Sequence, residues 1–170
     1  GGFFFTSHDH EKLIHRPKIG PDNAIPSGNE VAAISLQRLG YLLGESRYLQ
    51  ASERTLNLFY SEMLHHPSIY CSLLIALEEW LTPPKIIILR GDKLKVKEWW
   101  WQIKSQTPYI FVIGLPMELT GLPNSLSKPI PVNNDFNAWV CQGERCLSEI
   151  TDLQELLQVC KDKGKMMFPL

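Results

Sequence analysis

Between residues 8 and 29 the chain carries His8, Asp9, His10, Glu11, His15, Arg16, Lys18, Asp22, Asn23, Ser27 and Asn29. Carboxylates and imidazoles can move protons, cationic side chains can hold an anion, and amides can orient hydroxyls. Polar groups converging on an apolar wall are what a small-molecule site requires, and as a cluster these residues point to one. The competing reading is a solvated loop whose charges pair locally and whose Asn and Ser residues cap and turn. His8, His10 and Glu11 are also a possible metal set. Three such residues in one loop arise easily by chance, so no metal or other cofactor is expected.

Cys141 and Cys146 are separated by Gln-Gly-Glu-Arg. A hairpin with a four-residue loop would face them across two strands, and directly opposed Cβ atoms lie about 4.5–5.5 Å apart. A reversible disulfide is open, but two reduced thiols at a hairpin end is the favoured reading. Zinc would need a second close pair of ligands. After the first strand there is neither a G-x-G-x-x-G nor a P-loop, which disfavours nucleotide binding. No G-x-S-x-G elbow is present.

These residues need elements to position them. Residues 1–27 are rich in Pro and Gly, with Phe3 to Thr6 as a candidate short strand. Ser27-Gly-Asn-Glu30 reads as a capping box, opening a helix that Gly44 stops. Its apolar residues surround most of its circumference, so burial on nearly all sides is expected. A second helix runs from Ser46 to about His65 on a Leu49, Ser52, Leu56, Phe59, Met63 stripe. Pro67-Ser68 opens a third, which Thr82-Pro83-Pro84 ends. From Lys85 the pattern changes: strand 85–90, a helix over 93–105 capped by Asp92, and strand 109–113. This β-α-β unit is expected to be parallel and right-handed. On that helix Val96, Trp99, Trp100 and Ile103 share a stripe and Trp101 falls off it beside Leu94, so a Trp should lie against another segment. A proline-rich linker, a strand from Ala138 to Cys141, and a last helix opened by a Thr151-to-Gln154 capping box complete the pass. The tail after Gly164 is expected to fray.

The 170 residues carry a net charge of -1, with 44% hydrophobic and 21% charged residues. That is ordinary globular composition. There is no basic stripe for nucleic acid and no apolar run of membrane-spanning length. Four scattered cysteines suggest a reducing, cytoplasmic setting. The apolar start Gly1-Gly-Phe-Phe-Phe5, and three helices that cannot bury one another, suggest a piece of a longer protein. The fold expected is α with a small α/β part: residues 1–84 as the end of an α/α toroid with its long opening loop, and 85–170 as a small C-terminal α/β unit.

Two stretches, taken together, carry a resemblance. The first is Gly1-Gly-Phe-Phe, then Glu11-x-x-Ile14-x-Arg16-Pro-Lys18, then Asp22-Asn-Ala-x-Pro26-Ser-Gly-Asn29. The second is Ala138-Trp-Val-Cys141-x4-Cys146 with Ile150-Thr-Asp152. In that order they resemble the end of the spermatogenesis-associated, thioredoxin-domain-containing family. Glu149 and Leu153 depart from it, standing where the family often has proline. The resemblance implies a thioredoxin-like domain upstream and then an (α/α)6 toroid similar to N-acylglucosamine 2-epimerases and six-hairpin glycosidases. Arg16, Lys18, Asp22, Asn23, Ser27 and Asn29 would line the end of its cavity.

Two functions follow as expectations. In the first, the toroid is carbohydrate-active, an isomerase or a glycosidase-like hydrolase. Arg16, Lys18, Asn23 and Asn29 would bind a sugar or sugar phosphate, Asp22 or Glu11 would do acid-base work, and His10 would be a second proton carrier. In the second, the chain is a non-catalytic module that works with the upstream domains of the same protein, and the opening loop is structural.

Overall fold

The computed structural model describes residues 1–131 and 136–162. The expected frayed tail therefore lies outside the described residues. The chain divides into two compact units, Gly1–Thr82 and Pro83–Leu170. The fold is mixed α and β, with five α-helices and one four-stranded sheet among the described residues.

The first unit opens with a long irregular segment and continues into α1 (Gly28–Leu43), α2 (Ser46–His65), a 3-10 turn at Pro67–Ile69, and α3 (Cys71–Leu81). The Ser27 Oγ accepts from the Glu30 amide at 3.2 Å, and Gly44, at φ +67°, closes α1 in the left-handed conformation that glycine adopts freely. Two expectations are corrected. Pro67 starts a separate 3-10 turn, and α3 begins only after Tyr70. Phe3 to Thr6 form no strand; that stretch is held by side-chain bonds and by one backbone bond from Phe5 to Pro17.

α1 is not buried on nearly all sides. Its buried positions are Asn29, Glu30, Ala33, Gln37 and Gly40, whereas Val31 and Leu39 are exposed. Small size decides which face turns inward. A Cβ on Gly40 would stand 2.6 Å from the Leu49 side chain, so only glycine lets α2 come this close. Hydrogen bonds then stitch the contact: Ser52 Oγ donates to the Ala33 carbonyl at 2.9 Å, and Gln37 Nε2 to the Ala76 carbonyl at 2.9 Å. Leu56, Phe59, Met63, Tyr70 and Leu73 fill the remaining core.

The second unit comprises β1 (Lys85–Gly91), α4 (Lys93–Gln106), β2 (Phe111–Pro116), β3 (Phe136–Gln142), β4 (Arg145–Cys146) and α5 (Leu153–Lys161). The sheet order is β2-β1-β3-β4. β1 pairs parallel with β2, as the β-α-β reading expects, and antiparallel with β3. β1 is central, which is why it reads as a continuous apolar run. Ile87, Leu89, Ala138 and Val140 form one side of the core with Val96, Ile103, Leu156 and Leu157 from the helices. Trp99 packs on Phe136 with ring centroids 4.0 Å apart, Trp100 Nε1 donates to the Val112 carbonyl, and Trp101 is exposed. The helical stripe thus sorts the three tryptophans as expected. α5 is capped one residue later than expected: Asp152 Oδ1 accepts from the Glu155 amide at 2.8 Å. Its other end is closed by Lys85, whose ammonium donates to the Val159 carbonyl, a favourable charge for a helix C-terminus.

Candidate functional site

The opening segment lies on the first unit with its backbone pressed to the core. A Cβ on Gly20 would sit 2.5 Å from the Phe59 ring and 2.8 Å from that of Tyr70. Arg16, Lys18 and Asp22 of this segment, with Asn29 of α1, are spent on holding this path. Asn29 is buried and saturated: Oδ1 accepts from the Phe3 amide at 2.6 Å, and Nδ2 donates to the carbonyls of Phe3 and Ile19 at 3.0 and 2.8 Å. Arg16 donates to the Thr6 hydroxyl and carbonyl and lies over the Phe4 ring at 4.4 Å. Lys18 donates to the Gly1 carbonyl at 2.6 Å and covers the same ring at 4.6 Å. Asn23 is exposed, and its Oδ1 accepts from the next amide, Ala24.

Asp22 has the most specific placement. Oδ1 accepts from the Ser27 amide at 3.2 Å, and Oδ2 from the Ser72 amide at 2.8 Å. Ser72 is in the first turn of α3, whose own N-cap residue, Tyr70, offers no side-chain bond. Asp22 therefore caps α3 from fifty residues away while bracing the start of α1. An anion at a helix N-terminus is favoured by the dipole. It also takes the Ser27 amide that a reciprocal capping box would have given to Glu30.

Freed from that duty, Glu30 is buried, and its Oε2 has no hydrogen-bond partner. Burial raises its carboxyl above the ordinary value of 4.5; the charge of Asp22 raises it further, Arg38 lowers it, and Glu79 raises it. Arg38 is itself held by Glu79 in a two-pronged pair, with N–O distances of 2.5 and 3.1 Å. The charges of Asp22 and Glu79 thus act on a buried carboxyl that is easier to protonate than an ordinary one. The capping-box pattern gives Glu30 only a capping role. The signal for it was present: Glu30, Ala33, Gln37 and Gly40 recur at helical spacing and mark the inward face.

Glu11 and His10 stand exposed, the His10 Nδ1 lying 3.3 Å from the Glu11 carbonyl oxygen, and among the described residues no hydrogen bond ties either to Asp22. Of the expected site residues, the structure thus brings Asp22 and Asn29 to the α1 N-terminus and leaves His10 and Glu11 apart. Among the described residues, no three His, Cys, Asp or Glu side chains gather as a metal-ligand set. No described helix is long and apolar enough to cross a membrane.

In the second unit, the reading of Cys141 and Cys146 as reduced thiols is overturned, because a disulfide joins them. The loop between them is also tighter than the four residues expected. Gln142 pairs with Arg145, leaving Gly143 and Glu144 as a two-residue turn with Gly143 at φ +61°, the glycine-first pattern of a type II′ hairpin. Arg90 was missed as well. It is buried at the end of β1 and donates to the carbonyls of Pro116, Met117 and Leu119, with Nε unpartnered. It pins the chain leaving β2.

No known protein family, curated protein or solved structure matches this chain.

Proposed function

We propose that this chain is a non-catalytic interaction module, its three helices forming part of a larger α/α assembly of the toroid kind. The observation that carries the proposal is an inversion in the first unit. Asp22 and Asn29, flanking the start of α1, are bonded inward, while Phe3, Phe4, Phe5, Ile14 and Ile25 are exposed, as are Val31, Leu58 and Ile75 on the helices. Phe5 and Ile25 keep 74% and 75% of their surface in solvent. Large apolar side chains left in solvent are the material of a contact face. A groove of about 210 Å³ lined by Leu56, Tyr60, Leu77, Trp80 and Leu81 together with Glu53 and Asn57 adds a mostly apolar receptacle. The resemblance to the spermatogenesis-associated, thioredoxin-domain-containing family supports the same architecture, with the upstream domains of that protein as the partner. Sedimentation velocity tests it. The isolated chain should self-associate as its concentration rises, and Leu58→Glu with Ile75→Glu should keep it monomeric. A wild-type chain that stays monomeric throughout removes the proposal.

A second reading, a carbohydrate-active site, is favoured by one observation, the unpartnered buried Oε2 of Glu30 beside Asp22. In this reading Glu30 and Asp22 are the two carboxylates, and Arg16 and Lys18 bind the sugar or its phosphate. A thermal-shift screen against sugars and sugar phosphates tests it, and the shift must vanish in Arg16→Ala. Few, scattered cysteines favour a cytoplasmic setting, and the Cys141–Cys146 disulfide weighs against it.

A further inference from the structure

We propose that the Cys141–Cys146 disulfide is a redox-active site that accepts two electrons from an external dithiol, with Cys146 as the sulfur attacked and Lys128 as its electrostatic partner. The two sulfurs differ in access. Cys141 is buried in β3, and Cys146 is exposed on β4, a strand of only two residues. A thiolate approaching from solvent therefore meets Cys146 first.

The hairpin makes the pair local. The Leu147 amide donates to the Val140 carbonyl at 2.9 Å, which leaves Cys141 and Cys146 as the opposed pair without ladder bonds between them, their Cα atoms 3.9 Å apart. Closely spaced pairs of this kind bring side chains together. The Val140–Leu147 bond below and the Gln142–Arg145 pairing above belong to the backbone. Opening the disulfide leaves both in place, so the site can cycle in the folded chain.

Lys128 comes from the proline-rich segment, and its ammonium lies 3.5 Å from Cys146 Sγ. A cation beside a cysteine favours the thiolate. Here it would attract the incoming thiolate and then stabilise Cys146 as a leaving group. Of the two free cysteines, Cys160 is buried, its thiol pushed up to about 11, and Cys71 is exposed.

The exchange balances in two steps. One thiolate of the dithiol bonds to Cys146 Sγ, and the Cys141–Cys146 bond breaks, its electron pair leaving on Cys141, which takes a proton. The second thiol of the reagent then attacks its own mixed-disulfide sulfur and expels the Cys146 thiolate, which is protonated in turn. The dithiol ends as a disulfide, the chain as two thiols, and two protons have moved with the two electrons.

Dithiothreitol provides the test, with acid quench, alkylation in denaturant and mass spectrometry. The air-isolated chain should carry two labels and the reduced chain four, with reduction complete under conditions where circular dichroism shows the fold intact. Lys128→Gln should melt where the wild type melts and reduce roughly fivefold more slowly, the loss expected from one screened charge at this distance. With glutathione in place of the dithiol, the adduct should map to Cys146. Reduction only at the rate of global unfolding, equal rates in Lys128→Gln, an adduct on Cys141, or four labels before any reductant would each overturn the proposal.

Discussion

The two units solve the burial problem in opposite ways. The α/β unit encloses its core: β1 is covered by strands on both edges, and Ile87, Leu89, Ala138 and Val140 meet α4 and α5. The helical unit gives its inward face to Ala33, Gly40, Ser52 and Gln37 and leaves large apolar residues such as Leu58, Leu64 and Ile75 in solvent. A three-helix layer buries one side of each helix, so an all-round apolar helix such as α1 must show some of it. On the α1 face small and polar residues took the inside because they allow the closest backbone approach, while Leu56, Phe59, Met63, Tyr70 and Leu73 fill the rest of that core. Apolar patterning therefore predicts the core along the α2 stripe and across the sheet, but not on the outer face of α1, where it predicts contact surface.

The largest test of that contrast is a pair of leucine truncations. Leu89→Ala removes a fully buried side chain from the central strand and should cost about 3 kcal/mol. Leu58→Ala, at an exposed position, should change stability by under about 0.5 kcal/mol. Urea unfolding followed by circular dichroism reads both. A large loss for Leu58→Ala would mean that the helical unit is closed after all. Next in size is Asp22→Ala, which unmakes the bonds to the Ser27 and Ser72 amides. It should cost about 2 kcal/mol, as expected for charge-assisted bonds at a helix start. Asp22→Asn keeps an acceptor oxygen and should recover about half. If both variants melt with the wild type, Asp22 is not the brace described.

Much of the fold could be read from the residues, because its signals are local. Ser27 and Gly44 bound α1, Asp92 caps α4, and the run of Ile86, Ile87 and Ile88 marks a strand buried on both faces. What could not be read depends on partners distant in sequence. Asp22 caps a helix through an amide fifty residues later, so no window contains both ends of the bond. The same distance hid the fate of Glu30, since the local rule assigned it an amide that Asp22 takes. β3 joining the far edge of β1 was equally hidden, because an isolated strand does not name its neighbour. Cys141 and Cys146 failed differently. Their facing was foreseen, but counting all four intervening residues as loop missed the Gln142–Arg145 pairing, which draws them together.

Ser52→Ala is a smaller test, since the Ser52 hydroxyl donates to the Ala33 carbonyl inside the α1–α2 contact. Its loss should cost about 1 kcal/mol, read as a fall of several degrees in the melting temperature. An unchanged melt would assign the close approach of the two helices to Gly40 alone.

Glu30→Gln is the most discriminating change, although its effect is small. Burial and the Asp22 charge raise the Glu30 carboxyl above its ordinary value, with Glu79 adding to the rise and Arg38 opposing it. A group raised in the folded state binds its proton more tightly there than in the unfolded chain. Its favourable contribution is complete below the ordinary carboxylate range and is lost as pH climbs through the raised value. Glutamine has no proton to lose. The melting temperature of Glu30→Gln should therefore gain on the wild type from pH 4 to pH 7, with most of the change above the ordinary value of 4.5. A difference that is flat across that window would show that Glu30 meets water or a partner in solution. The carboxylate pair would then lose its special member, and the carbohydrate reading its main support. A difference that closes as pH rises would have the wrong sign and would mean that Arg38 outweighs burial at this position.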